Sequence, residues 1–345
     1  MIKRTVEISR EAMHLSVRDE QLLLLRKEEE EQAPRRHPAR PANLAASIPC
    51  EDLGVLVVDS RETTYSHHAL TKLAEHGAAL VVCGRDHHPV GMYLPISVNT
   101  QLLARLDAQL SASRPTLKRL WAMIVSAKIR AQAVALPPFE GAAPIRTRLL
   151  HMARRVRSGD PENVEAQAAG VYWPELFRAC PAVRQPFRRR PGDPTAEPPN
   201  NLLDYGYAAV RAAVARALVS AGLLPALGIR HRGRSNPFCL ADDLMEPLRP
   251  LVDRRVRHLA ERGEVGLDRT TKTELLSVLT EEIVVGPFRG PLLVSTTRYV
   301  SSLVESLDMA DPGRLMTPCP LGGTPERRGT HTGDPRAEAG DEGHV

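Results

Sequence analysis

Near residue 100 the hydrophobic pattern of this chain changes period, and a single kind of secondary structure cannot serve both halves. Residues 1 to about 97 carry short or alternating apolar runs at Thr5 to Ile8, Leu22 to Leu25, Leu53 to Val58, Ala79 to Cys83 and Gly91 to Leu94. These runs suit β-strands, which turn successive side chains to opposite faces. One short helix, about Ser66 to His76, interrupts them. The strands are too unevenly spaced for a repeat array and most lack an intervening helix, so a small mixed or sandwich-like β domain is expected here. Residues 33–47, with Pro34, Pro38 and Pro41 among Arg, His and Ala, read as a surface insertion.

From about Thr100 the spacing becomes helical. Leu203, Tyr207, Val210, Val214 and Leu218 make one stripe of a long helix, and Leu244, Leu248, Leu251, Val252, Val256 and Leu259 make another that Pro247 and Pro250 must kink or restart. The expected fold class is therefore α+β: a β-rich N-terminal domain over 1–97, then a larger all-α domain over 98–311. A Pro/Arg-rich stretch over 181–199 is expected to be a mobile loop between helices, and 312–345, rich in Gly, Pro and charge, a disordered tail. A length of 345 residues agrees with two domains, each burying its own core.

Lys and Arg outnumber Asp and Glu by 46 to 41, which permits nucleic-acid binding without demanding it. The distribution is more telling. Arg188-Arg189-Arg190 and Arg230-His231-Arg232-Gly233-Arg234 concentrate positive charge in the second half, either as a solvated face or as phosphate contacts. The five cysteines are widely spaced with no C-x-x-C pair, so neither a disulfide framework nor a zinc site is indicated. No apolar run approaches the roughly 18 residues of a membrane span, and Met1 to Glu7 lack a signal-peptide hydrophobic stretch. A soluble cytoplasmic protein is expected.

Three segments could carry chemistry. In Ser158-Gly159-Asp160-Pro161-Glu162-Asn163-Val164-Glu165, Asp160 is a helix cap, Pro161 the first helical residue, and Glu162 complements the helix dipole. Glu165 then falls beside the face of Ala168, Ala169 and Tyr172, where it either pairs with an Arg or binds a ligand. In Leu227-Gly228-Ile229-Arg230-His231-Arg232-Gly233-Arg234, a lone His between glycines is either a surface residue or a metal ligand. In Leu240 to Asp253, Glu246 projects away from the Leu244/Leu248 stripe, with Asp242, Asp243 and Asp253, towards solvent or a polar cleft.

Together these segments resemble the CRISPR-associated endonuclease and integrase family that captures new spacers, in the form that accompanies single-protein effector (type II) systems. The lines of resemblance are Lys3 to Ser9, Ile48 to Asp59, Asn163 to Ala169 followed by Tyr172-Trp173, Leu203 to Tyr207, Leu227-Gly228-Ile229 leading into His231, and Asn236 to Pro247. The resemblance implies a β-rich domain joined to a helical catalytic domain, as the periodicity does independently. It puts the metal ligands, and so the catalytic residues, at Glu165, His231 and Glu246, with Asp242 or Asp243 as the alternative last ligand.

Two carboxylates and an imidazole suit Mg²⁺ or Mn²⁺. The expected reaction is attack by water, or by the 3′ hydroxyl of a DNA end, on a phosphodiester, the latter inserting a spacer into a CRISPR repeat. Arg230, Arg232 and Arg234 are candidates to hold DNA backbone. Double- and single-stranded DNA, a second copy in a homodimer, a small companion CRISPR-associated subunit and the effector nuclease of the system are the partners the resemblance implies. The competing readings are a nonenzymatic DNA-binding scaffold and a repair nuclease selective for branched DNA.

Overall fold

The run Leu53–Val58 forms a strand in which all six residues are buried, as happens when a sheet is covered on both faces. The computed structural model, which describes residues 3–9, 11–27, 43–96, 99–138, 141–193 and 195–320, shows both covers. With strands numbered in chain order, this strand is β5. It lies in a four-stranded sheet of order β1 (Arg4–Ile8), β5, β7 (Ala79–Cys83), β8 (Pro89–Tyr93). The first three run parallel and β8 antiparallel. A second sheet has the order β4 (Leu44–Pro49), β3 (Gln21–Arg26), β2 (Met13–Arg18), β6 (Thr64–Tyr65).

Leu56 and Val58 share a core with Leu15, Leu22 and Ile48 of the second sheet and with Leu73 of α1 (His67–Glu75). Val55 and Val57, on the opposite face, pack into the helical body. Ser66 caps α1 by accepting a hydrogen bond from the Ala69 amide, as the sequence around Ser66 to His76 predicts. The N-terminal part of the expected architecture is thus present. Strands β2 and β4 were not anticipated, and β4 corrects the insertion expected over 33–47: residues 44–47 are strand, paired to β3. Its inward Leu44, Ala46 and Ile48 alternate, but the prolines just before them hide the pattern. Residues 33–42 lie outside the described residues.

The helical body comprises α2 (Leu102–Ser111), α3 (Arg114–Ala135), α4 (Ala142–Arg155), α5 (Val164–Leu176), α6 (Asn200–Ser220), α7 (Cys239–Met245), α8 (Arg249–Glu261), α9 (Arg269–Leu276) and α10 (Leu292–Asp308). Helix α6 is buried around nearly its whole circumference and forms the spine. Its Gly206 meets the Val252 side chain of α8 so closely that a Cβ there would overlap it. Pro247 and Pro250 do restart the second predicted helix: α7 ends, a short 3-10 turn spans Glu246–Leu248, and α8 begins.

The domain is not all-α. Strands β9 (Glu282–Val285), β10 (Phe288–Pro291) and β11 (Pro318–Pro320) form an antiparallel sheet of order β10-β9-β11. Four-residue strands such as Glu282–Val285, with Ile283 and Val285 inward, are too short to stand out from a helical pattern. Strand β11 also corrects the expectation that order stops at 312; the rest of the expected tail, 321–345, lies outside the described residues. The described residues of the 181–199 segment form no helix or strand, yet Phe187 is buried with its ring 4.6 Å from that of Phe177, and Arg189 is ion-paired to Asp204 of α6.

The two parts meet through polar groups as well as apolar ones. Asp59, at the end of β5, is ion-paired to Lys272 of α9, both almost fully buried, and receives His87 Nδ1 at 2.9 Å. The Tyr205 hydroxyl of α6 reaches Glu7 of β1 at 3.4 Å. Burial pushes the Glu7 carboxyl above its ordinary range, with Lys272 pulling the other way.

Candidate metal centre

Helix α5 begins at Val164, three residues later than Asp160 and Pro161 predict, because Asn163 adopts a left-handed conformation (φ 51°). Asp160 still caps it: its Oδ1 and Oδ2 accept the amides of Val164 (2.9 Å) and Glu165 (3.0 Å). Glu162 faces outward to Arg155 and Arg157. Glu165 therefore lies in the first turn of α5, with its side chain directed inward to α3.

There it meets Lys128. Lys128 sits on the buried stripe of α3, one turn beyond Ile124, and its Nζ lies 2.6 Å from Glu165 Oε1 and 2.6 Å from Glu246 Oε2. Two carboxylates from separate helical segments thus close on one cation. Glu246 is only 3% exposed, so it belongs to a polar cleft and not to a solvated face. Its other oxygen, Oε1, takes Arg249 Nη2 at 3.1 Å. Burial works against the charge on Glu246, but the Arg249 guanidinium and Lys128 ammonium outweigh it and hold the carboxyl below its usual range. In return, and despite burial, Glu246 and Glu165 hold the Lys128 ammonium proton more firmly than usual. Lys128 thus bridges the two carboxylates, ion-paired to each.

His231 comes from the loop before α7. Asp243, fully buried on α7, accepts the amides of Arg230 (2.8 Å) and His231 (3.2 Å) as well as His231 Nδ1 (2.6 Å). This bond fixes the ring, leaves Nε2 as the free nitrogen, and raises the affinity of the imidazole for a proton, with burial opposing. Trp121 of α3 supports the ring edge-on, centroids 5.8 Å apart. Gly228 makes the turn feasible, since a Cβ there would collide with the His231 carbonyl oxygen. Asp242, the other candidate last ligand, is engaged elsewhere, by Arg211 Nε at 2.6 Å and Asn236 Nδ2 at 2.7 Å.

Behind the acids lies Asp253 of α8, fully buried and accepting the hydroxyls of Tyr172 (2.9 Å) and Tyr207. Burial lifts its carboxyl to about 6 even against these hydrogen bonds. The Tyr207 ring receives the guanidinium groups of Arg249 at 5.0 Å and Arg189 at 5.3 Å. Those two arginines, with Arg211 and His88, line a cleft beside the centre. Arg230, Arg232 and Arg234 are exposed on the loop around His231.

Glu165 and Glu246 therefore converge, and His231 stands within electrostatic reach of Glu246. Among the described residues no three His, Cys, Asp or Glu side chains close tightly enough to hold an ion as they stand, since Lys128 occupies the space between the acids. The donor set nevertheless fits a hard divalent cation, and the ammonium marks a place prepared for positive charge. Sequence reading missed Lys128, Arg249 and the roles of Asp243 and Asp253. The signal for Lys128 was present, as a lysine on the apolar stripe that includes Trp121, Ile124 and Val125.

A β-rich part joined to a helical body is an arrangement this chain shares with several solved structures. A casposase bound to integration product superposes with a TM-score of 0.68 at 18% identity, covering 89% of this chain and 91% of that one. A Cas6-RT-Cas1–Cas2 complex gives 0.69 at 16%, covering 91% of this chain and 36% of that one. At these identities the likeness is one of fold. The sequence itself goes further: residues 6–284 match the family model described as CRISPR associated protein Cas1. The CRISPR-associated endonuclease Cas1 of Neisseria meningitidis serogroup C is 38% identical over 274 residues, 79% of this chain and 86% of that protein. The chain belongs to the Cas1 family. Among its described residues no helix is long and apolar enough to cross a membrane.

Proposed function

We propose that this protein is a metal-dependent DNA endonuclease and integrase that inserts short DNA segments as new spacers into a CRISPR array. The observation that carries this reading is the closure of Glu165 and Glu246, from separate helical segments, on a single positive charge. Glu165, Glu246 and the Nε2 of His231 are the groups that would hold Mg²⁺ or Mn²⁺. Such an ion, when bound, supplies Lewis-acid stabilisation of the charge that builds on the scissile phosphate.

The chain's own residues do the rest. Asp243 holds the imidazole in one orientation and tautomer. Arg249, anchored on Tyr207 and Glu246, keeps the second carboxylate ionised and in place. Arg230, Arg232 and Arg234 supply exposed charge for the DNA backbone. Exchange of one phosphodiester for another by a 3′ hydroxyl needs no nucleotide hydrolysis, and the chain has no G-x-x-x-x-G-K-[ST] loop. The names of its fold neighbours, a casposase with its integration product and a complex containing Cas2, support DNA and a small companion subunit as partners. A second copy in a homodimer and the effector nuclease complete the proposed set.

The test is nicking of supercoiled plasmid with Mn²⁺, Mg²⁺ or EDTA. Nicking that requires metal and disappears in Glu165→Gln, His231→Ala and Glu246→Gln supports the site. Normal DNA binding with no cleavage in any metal would replace it with the scaffold reading.

A further inference from the structure

We infer that Lys128 is a built-in counter-cation that holds the acid pair together before metal arrives and competes with metal for the same oxygens. This rests on the metal-centre reading above. The ammonium is largely shielded from solvent and lies 2.6 Å from both Glu165 Oε1 and Glu246 Oε2. A divalent ion bound to those oxygens would occupy the ammonium's position, and two like charges cannot share it. Without some cation, two carboxylates this close would repel one another and the centre would spread.

Arg249 cannot take over this role. Its guanidinium approaches the other Glu246 oxygen and is fixed over the Tyr207 ring. Lys128 differs in carrying a compact ammonium on a flexible four-carbon stem, which makes it the group able to yield. With a divalent ion held by those carboxylates, the Lys128 ammonium would have to leave them, one monovalent charge giving way to a divalent one.

The experiment measures Mn²⁺ binding by isothermal titration calorimetry and thermal unfolding in EDTA and in saturating Mn²⁺, for the wild type, Lys128→Met, Lys128→Gln and Glu246→Gln. Competition predicts that both Lys128 variants bind Mn²⁺ roughly tenfold tighter than wild type. It also predicts that they unfold at lower temperature in EDTA and gain more from Mn²⁺. Should Lys128→Met fail to fold in both media, Lys128→Gln, one atom shorter but still a hydrogen-bond donor, decides. Variants that bind Mn²⁺ equally or more weakly than wild type, while Glu246→Gln still loses it, overturn the competition and leave the metal centre standing. Absence of Mn²⁺ binding in every protein overturns both.

Discussion

The hydroxyl of Tyr172 donates to Asp253 Oδ2 across 2.9 Å, and so ties α5, two turns beyond Glu165, to α8, about two turns beyond Glu246. The hydrogen bond is to a carboxylate with no access to water, and its loss leaves that carboxylate with Tyr207 as its remaining hydroxyl donor. Tyr172→Phe is expected to destabilise the fold by about 1.5–3 kcal/mol, the usual worth of a hydrogen bond to a charged group. Urea unfolding checks this; an unchanged midpoint would show that the tyrosine contributes packing alone.

Asp253 also sets a pH dependence. Its carboxyl is raised from an ordinary 3.8 to about 6 in the folded protein, so between those values the folded state binds more protons than the unfolded one. Stability from this group is therefore greatest in acid, falls as pH rises from about 4 to about 6, and levels off above, by about 3 kcal/mol in all. Other carboxyls titrate in the same window, so the observable is the difference between wild type and Asp253→Asn. That difference should slope across pH 4 to 6 and be flat above 7, and a flat line throughout would mean the carboxyl is not raised.

The periodicity of the sequence placed the division between strands and helices, the spine helix α6 and the restart at Pro247, because apolar residues at fixed spacing reflect burial directly. It did not place β4, β9 or β11, which are short or shadowed by proline and glycine. Glu165, His231 and Glu246 were legible through resemblance. From spacing alone each had an ordinary explanation, and for Glu246 only the fold discriminates, by burying it. Lys128 stands out in the sequence as a lysine on an apolar stripe, but its pairing with Glu165, 37 residues away, and with Glu246 is encoded by no local pattern.

Across the boundary between the two parts, the buried Asp59–Lys272 pair should be costly to break from one side. Lys272→Met leaves the Asp59 carboxylate in the interior with the half-exposed His87 as its remaining ionisable partner, at an expected cost of about 3–5 kcal/mol. Differential scanning calorimetry reads it directly. A variant as stable as the wild type would show that water reaches the carboxylate and that the interface is looser than its packing implies.

Asp243 acts through His231. Asp243→Asn keeps the size of the side chain but weakens the hold on Nδ1, and is expected to lower both Mn²⁺ affinity and plasmid nicking by about 10–100-fold. If nicking falls while Mn²⁺ affinity stays at the wild-type value, His231 serves proton transfer and is not a ligand.

The exposed arginines around His231 give a salt signature. Each of Arg230→Ala, Arg232→Ala and Arg234→Ala should reduce the slope of log affinity against log salt on duplex DNA by about 0.9 if that side chain contacts a phosphate. Slopes identical to wild type in all three would move the DNA path to the cleft of Arg189 and Arg211.

The most direct test of the whole account is strand joining. Protein and companion subunit are incubated with a fluorescent duplex bearing free 3′ hydroxyls and a plasmid carrying a CRISPR repeat, with Mn²⁺, Mg²⁺ or EDTA. The account predicts label joined to plasmid at the repeat, only with metal, and lost in Glu165→Gln, His231→Ala and Glu246→Gln. Joining that persists in EDTA or survives loss of either carboxylate would contradict it.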